Sequence, residues 1–280
     1  MKYGLLLLSL GFIACQKDPP APPMNEKTMK DVAYGTDPMQ KMDIYLPSAR
    51  NTTSTRVMIL VHGGAWSSGD KTDFNLYVDS LKRRLPDYAI FNINYRLSAN
   101  SLNTFPTQEN DTRAAIEFVH AHREEYGISN RFVLLGASAG AHLALLHAYK
   151  YTSPVKIKAV IDFFGPTDMI DLYNNPASIF IPPSAVAGIV GATPSSNLAL
   201  YQQSSPVTFV NAQTPPTIIL QGGMDPLVSV AQATTLKTKL QQAGVVHEYV
   251  FYPMEGHGWV GVNLVHSFDK IQAFLVANVN

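Results

Sequence analysis

Cysteine is almost missing from this chain. Cys15 is the only one among 280 residues, which excludes an intramolecular disulfide framework. Net charge is missing too: Lys plus Arg and Asp plus Glu stand at 21 each. With no basic block, nothing provides the electrostatic footprint of a nucleic-acid partner. The apolar run Gly4–Ile13 is too short to span a membrane. No cluster of His, Cys, Asp or Glu has metal-ligand spacing, and no G-x-G-x-x-G follows a strand pattern, so no cofactor is expected. Repeats and coiled-coil heptads are absent, and no motif speaks to oligomeric state. What remains, 46% hydrophobic and 15% charged, suits a globular domain with a large core.

The N-terminus reads separately. Lys2 precedes the Gly4–Ile13 run, which has the length of a signal-peptide apolar region and ends at Ala14-Cys15. Phe12-Ile13-Ala14-Cys15 resembles the lipobox of bacterial lipoproteins, which implies cleavage before Cys15 and a lipid on its sulfur. Phe12 departs from the Leu usual there. Gln16–Met24 holds four prolines and reads as an extended spacer. The expected organisation is a signal peptide over 1–14, a tether over 15–30 and one folded domain over 31–280. The implied address is an exported lipoprotein, in the periplasm or at the outer membrane or cell surface, touching membrane only through Cys15.

From there the chain alternates. Strands are predicted at Asp43–Leu46, Arg56–Val61, Tyr88–Tyr95, Phe132–Leu135, Ile157–Phe164, Thr217–Leu220 and Glu248–Tyr252. Helices are predicted at Thr72–Leu85, Pro106–Tyr126, after Ser138, at Val230–Ala243 and from Val262. Most of the strands are continuous apolar runs, as strands covered on both faces are. The fold class is α/β, a mostly parallel sheet with helices on both faces. Thr167–Thr214 breaks the rhythm and reads as a cap-like binding segment. It carries two short helical stretches, near Ala185 and Leu198, and an apolar cluster, Ile179-Phe180-Ile181.

The chemistry starts at Gly136-Ala137-Ser138-Ala139-Gly140, a G-x-S-x-G pattern set where a strand turns into a helix. That context marks a nucleophile elbow, with the glycines allowing close passage and the Ser hydroxyl left exposed. A serine needs a base, and the base needs an orienting carboxylate. In parallel-sheet hydrolases these sit on loops after later strands in the order Ser, acid, His. Asp225 follows the strand at Thr217, and His257 lies between Gly256 and Gly258 after the strand at Glu248. Asp162, Asp168, Asp171 and Glu255 are the competing acids, with Asp168 the main alternative. His120, His122, His142 and His147 fall on helices and read as structural. Asp111 reads as an ion-pair partner of Arg113 or Arg96. Two glycines after a buried strand, in His62-Gly63-Gly64-Ala65-Trp66, mark a close backbone approach.

Taken in order, HGGAW, NYRLS, FPTQENDTRAAIEFV, GASAG, GMDPLV and GHGW resemble the α/β-hydrolase superfamily. Within it they are closest to small carboxylesterases of the hormone-sensitive-lipase-like and feruloyl/acetyl-xylan-esterase-like groups, from roughly Val32 to the C-terminus. The resemblance implies the α/β-hydrolase fold, a Ser138-His257-Asp225 triad and an oxyanion hole from the N–H groups of Gly64, Ala65 and Ala139. It implies short acyl, acetyl or feruloyl esters as substrates, including esterified carbohydrate. Ala65 stands where many lipase-like relatives have a third glycine, which narrows the acyl side. HGGxW also occurs in kynurenine formamidases, so an amide hydrolase stays as an alternative. A non-catalytic binding module on the same fold is the other, although a degenerate copy would be expected to have lost one of these residues.

Overall fold

The computed structural model describes residue 1 and residues 24–279. Cys15 and most of the proline-rich stretch lie outside the described residues. The strands are β1 (Lys27–Ala33), β2 (Lys41–Leu46), β3 (Arg56–Val61), β4 (Tyr88–Ile93), β5 (Phe132–Ala137), β6 (Ile157–Phe163), β7 (Thr217–Gly222) and β8 (His247–Tyr252). They form one eight-stranded sheet in the order β1-β2-β4-β3-β5-β6-β7-β8. From β4 to β8 every neighbour is parallel. β1 and β2 join antiparallel at one edge.

Alternation of side chains across the pleat splits each strand between two cores. Val57, Ile59 and Val61 pack in one cluster with Leu143 of α4 (Ala139–Lys150), Ala115 of α2 (Thr107–Ala121) and Leu236 of α8 (Val230–Gln242). Met58 and Leu60 pack in the other with Leu81 of α1 (Asn75–Arg84) and Phe268 of α9 (Gly261–Asn278). The continuous apolar runs are thus explained by helices on both faces.

The expected helix at Thr72 begins as a 3-10 turn, Lys71–Phe74, capped by Asp70, before α1. The helix from Pro106 breaks at His122 and resumes as α3 (Arg123–Tyr126), which Gly127 ends at φ 63°. β1 went unpredicted, and it begins at Lys27, within the stretch expected to be tether. Within 167–214 lie α5 (Met169–Asn174), α6 (Pro183–Val190) and α7 (Leu198–Gln203). The last two match the expected short helices, and α5 is new. Among the described residues no helix is long and apolar enough to cross a membrane.

Candidate active site

The registers Val61↔Gly136 and Gly136↔Asp162 set the carboxyl ends of β3, β5 and β6 level. Open α/β sheets bind ligands at this edge. Ser138 sits at the turn from β5 into α4 with φ 55° and ψ −123°. A non-glycine residue there costs about 1–3 kcal/mol and persists only where the surroundings force it. The surroundings do so. A Cβ on Gly136 would stand 2.3 Å from Gly140, and one on Gly140 would stand 2.0 Å from Val61 O. β5, α4 and β3 therefore cross with backbone against backbone. Ser138 N–H donates to Phe163 O at 2.8 Å, and His142 N–H donates to Ser138 O at 3.0 Å.

The loop after β3 lies against this turn, since a Cβ on Gly63 would meet Ala137 O at 3.0 Å and Ser138 Cβ at 3.3 Å. Gly64, Ala65 and Trp66 all have positive φ, at 105°, 48° and 58°. Among the described residues neither Gly64 N–H nor Ala65 N–H has an acceptor. Ala139 N–H opens α4, where the first amides have no partner within the helix. Tyr95 O–H donates to His62 O at 3.0 Å and its ring stacks on His62 at 4.3 Å.

His257 Nδ1 lies 2.8 Å from Asp225 Oδ2, and the Asp225 side chain is fully buried. The other oxygen, Oδ1, accepts the N–H groups of Leu227 and Val228 at 2.8 and 2.9 Å. The two loops are fused at their roots, because a Cβ on Gly222 would stand 2.2 Å from Gly256 O. The His257 ring packs on Phe164 at 4.6 Å, and Phe164 follows the Phe163 whose carbonyl holds Ser138. Ser138 Oγ makes no hydrogen bond to His257 in this structure, and the two residues are held at one edge of the sheet by the neighbours Phe163 and Phe164.

The other acids are engaged elsewhere. Asp168 caps α5, accepting from Ile170 and Asp171 N–H. Asp171 accepts from Gln232, and Glu255 accepts from Asn263. Asp111 binds Arg96 at 2.6 Å, while Arg113 pairs with Glu117. Asp162 is fully buried, and burial pushes its carboxyl up to about 7 although Gly165 N–H donates to it. Among the described residues its Oδ2 has no partner.

Sequence reasoning missed a link between the loop after β3 and the helix after Ser138. Trp66 Nε1–H donates to His142 Nδ1 at 3.1 Å, and His142 Nε2 lies 2.6 Å from Ser204 O. Those residues are 76 and 62 positions apart, and no local pattern pairs them. Beside Trp66 opens a groove of about 350 Å³, walled by Ala65, Trp66, Phe180, Ile181 and Ile189. Ile179 is 88% exposed and lines none of it. No group of three or more potential metal ligands occurs among the described residues.

The sheet, the strained serine turn and the acid–imidazole pair define an α/β-hydrolase. Residues 42–240 match the BD-FAE family, and the chain belongs to it, an α/β-hydrolase-type esterase family. It is 30% identical over 264 residues to the probable carboxylic ester hydrolase LipM of Mycobacterium tuberculosis, covering 88% of this chain and 60% of LipM. It thus spans about 60% of that relative's length. Among solved structures it is similar to a bifunctional GH43-CE of Bacteroides eggerthii, with a TM-score of 0.76 and 27% identity, covering 89% of this chain and 38% of that one. A truncated carbohydrate esterase from gut microbiota shares the fold, with a TM-score of 0.75 and 24% identity, covering 92% and 98%.

Proposed function

We propose that this chain is a serine carboxylesterase acting through Ser138, His257 and Asp225. The observation that carries the reading is the 2.8 Å contact between His257 Nδ1 and the buried Asp225. It fixes the proton on Nδ1 and leaves Nε2 as the base. Ser138 Oγ attacks the ester carbonyl while His257 Nε2 takes its proton. The tetrahedral oxyanion forms against the N–H groups of Gly64, Ala65 and Ala139, each donor worth about 3–4 kcal/mol. The imidazolium returns the proton to the departing alcohol, and water then releases the acid from Ser138 by the same route. A loose serine–histidine contact before substrate arrives is common in such sites.

The substrates we propose are short acyl esters, acetyl or feruloyl, on plant polysaccharide fragments. The names of the carbohydrate-esterase neighbours and the modest groove beside Ala65 support this. Phe180 and Ile181 on its far wall suit an aromatic acid. We also propose that Cys15 is lipidated, so that an exported enzyme meets external polymers rather than cytosolic metabolites. Mass spectrometry of the mature N-terminus, with Cys15→Ser as control, tests this part.

Ser138→Ala tests the chemistry. Turnover of nitrophenyl acetate is expected to fall by roughly 10⁶-fold, the size of a nucleophile deletion in other serine hydrolases, with the melting temperature retained. Ranking kcat/KM over acetyl, butyryl, octanoyl and dodecanoyl nitrophenyl esters, methyl ferulate, acetylated xylan and N-formylkynurenine tests the substrate. A maximum at octanoyl or longer would indicate a lipase-like pocket, and dominant deformylation would make the chain an amide hydrolase.

A further inference from the structure

Two consecutive residues of the loop after β3, Ala65 and Trp66, hold positive φ without being glycine. Such positions cost about 1–3 kcal/mol each and relax unless something outside the loop holds them. On one side the loop rests on the serine turn through Gly63. On the other its anchor is Trp66, 3% exposed, with the indole edge-on to His142 at 5.1 Å and 89°. An indole N–H is donor only, so His142 Nδ1 must accept. A backbone carbonyl is acceptor only, so the proton on His142 must sit on Nε2, facing Ser204 O. Both neighbours select the same neutral tautomer. Burial reinforces it by pulling the imidazole down to about 4, with Lys150 lowering it further and Ser204 O opposing.

His142 is itself fixed to the nucleophile, four residues further along α4, with its N–H on Ser138 O. We infer that His142 is a positioning residue. Through Trp66 it holds the Gly64 and Ala65 amides at a set height above Ser138, and through Ser204 it ties that arrangement to the 167–214 segment. This rests on the proposed reading of Ser138 and the two amides as nucleophile and oxyanion donors. The mere-packing alternative needs only the shape of the ring, whereas the inference needs its acceptor and donor.

The test compares Trp66→Phe, His142→Phe, their double variant and His142→Gln on nitrophenyl acetate, each normalised by titrating Ser138 with an organophosphonate. Removing an oxyanion donor costs about 10²–10³-fold in kcat, so loosening the loop is expected to cost roughly 10–10²-fold with KM within about twofold. The double variant is expected to lose no more than the worse single one, because both cut the same link. His142→Gln, which keeps an acceptor and a donor, is expected to recover most of the loss. Nitrogen NMR of the wild type is expected to show His142 protonated only on Nε2 from about pH 5 to 8. Losses that add in the double variant, unchanged kcat despite a lowered melting temperature, or a proton on Nδ1 overturn the inference. If Ser138→Ala stays active, the underlying reading has failed instead, and the NMR result still decides whether the tautomer is the one assigned.

Discussion

The edge of the sheet that carries Ser138 and the 167–214 segment are built by opposite means. At the edge, backbones touch: Gly140 against Val61 O, Gly136 against Gly140 and Gly222 against Gly256 O leave no room for a methyl group. In the segment, three helices have only six to eight residues, the turn between the first two leaves Ile179 and Phe180 exposed, and among the described residues a Cβ on Gly188 would meet nothing within 4 Å. Bond-making needs atoms held to within about 0.5 Å, which close-packed backbone supplies. Recognition of variable esters, the role proposed for this segment, needs side chains that adapt, and loosely covered chain suits it.

The comparison breaks most visibly at the two acids. Asp225→Asn is expected to lower kcat by about 10⁴-fold, as the wrong imidazole tautomer does in a serine protease. Asp168→Asn, which touches only the cap of α5, is expected to leave kcat within about twofold, since an Asn caps as well as an Asp. Equal losses in steady-state assays would erase the distinction. Next in size, Gly140→Ala is expected to cost about 4 kcal/mol or more, because backbone must move. Gly188→Ala in α6 is expected instead to gain up to about 1 kcal/mol by helix propensity. Thermal melts of the pair measure both.

Asp162 sharpens the contrast through pH. Unfolded, its carboxyl releases its proton near 3.8, whereas the folded protein holds it to about 7. Between those values the folded state binds more protons, so this contribution falls as pH rises. It is fully present below the lower value and gone above the upper one. At ~1.4 kcal/mol per pH unit the interval has a ceiling of about 4 kcal/mol. Relative to wild type, Asp162→Asn is therefore expected to gain melting temperature between about pH 4 and pH 8. A parallel shift across the range would remove Asp162 as its source. Smallest of all, Phe180→Ala is expected to reduce kcat/KM for methyl ferulate roughly tenfold relative to nitrophenyl acetate, the worth of lost apolar contact in a pocket. An equal effect on both esters would show that Phe180 does not select the acid.

How much of this was legible in the sequence follows the same division. The serine turn, the Asp225 and His257 loops and the β3 loop stand out because close backbone approach requires glycine, and glycine is visible. The parallel strands stand out because burial on both faces requires unbroken apolar runs. β1 escaped notice because an edge strand, here KTMKDVA with mostly exposed side chains, needs no such run. α5 was hidden behind its own cap, Asp168, which read as a candidate acid when its oxygen holds two helix amides. The Trp66–His142–Ser204 chain depends on residues brought together only by the finished fold, and His142 on its own reads as one more helical histidine.

The antiparallel entry of β1 also gives the molecule a direction. Lys27 pairs with Leu46, and Ala33 pairs with Lys41. Met42 in turn lies beside Ile93, level with Val61 and Gly136. The chain therefore arrives at the end of the sheet remote from Ser138 and runs toward it. Under the proposed lipidation at Cys15, an anchor upstream of β1 would join the described chain at the base of the sheet, at the end opposite Ser138.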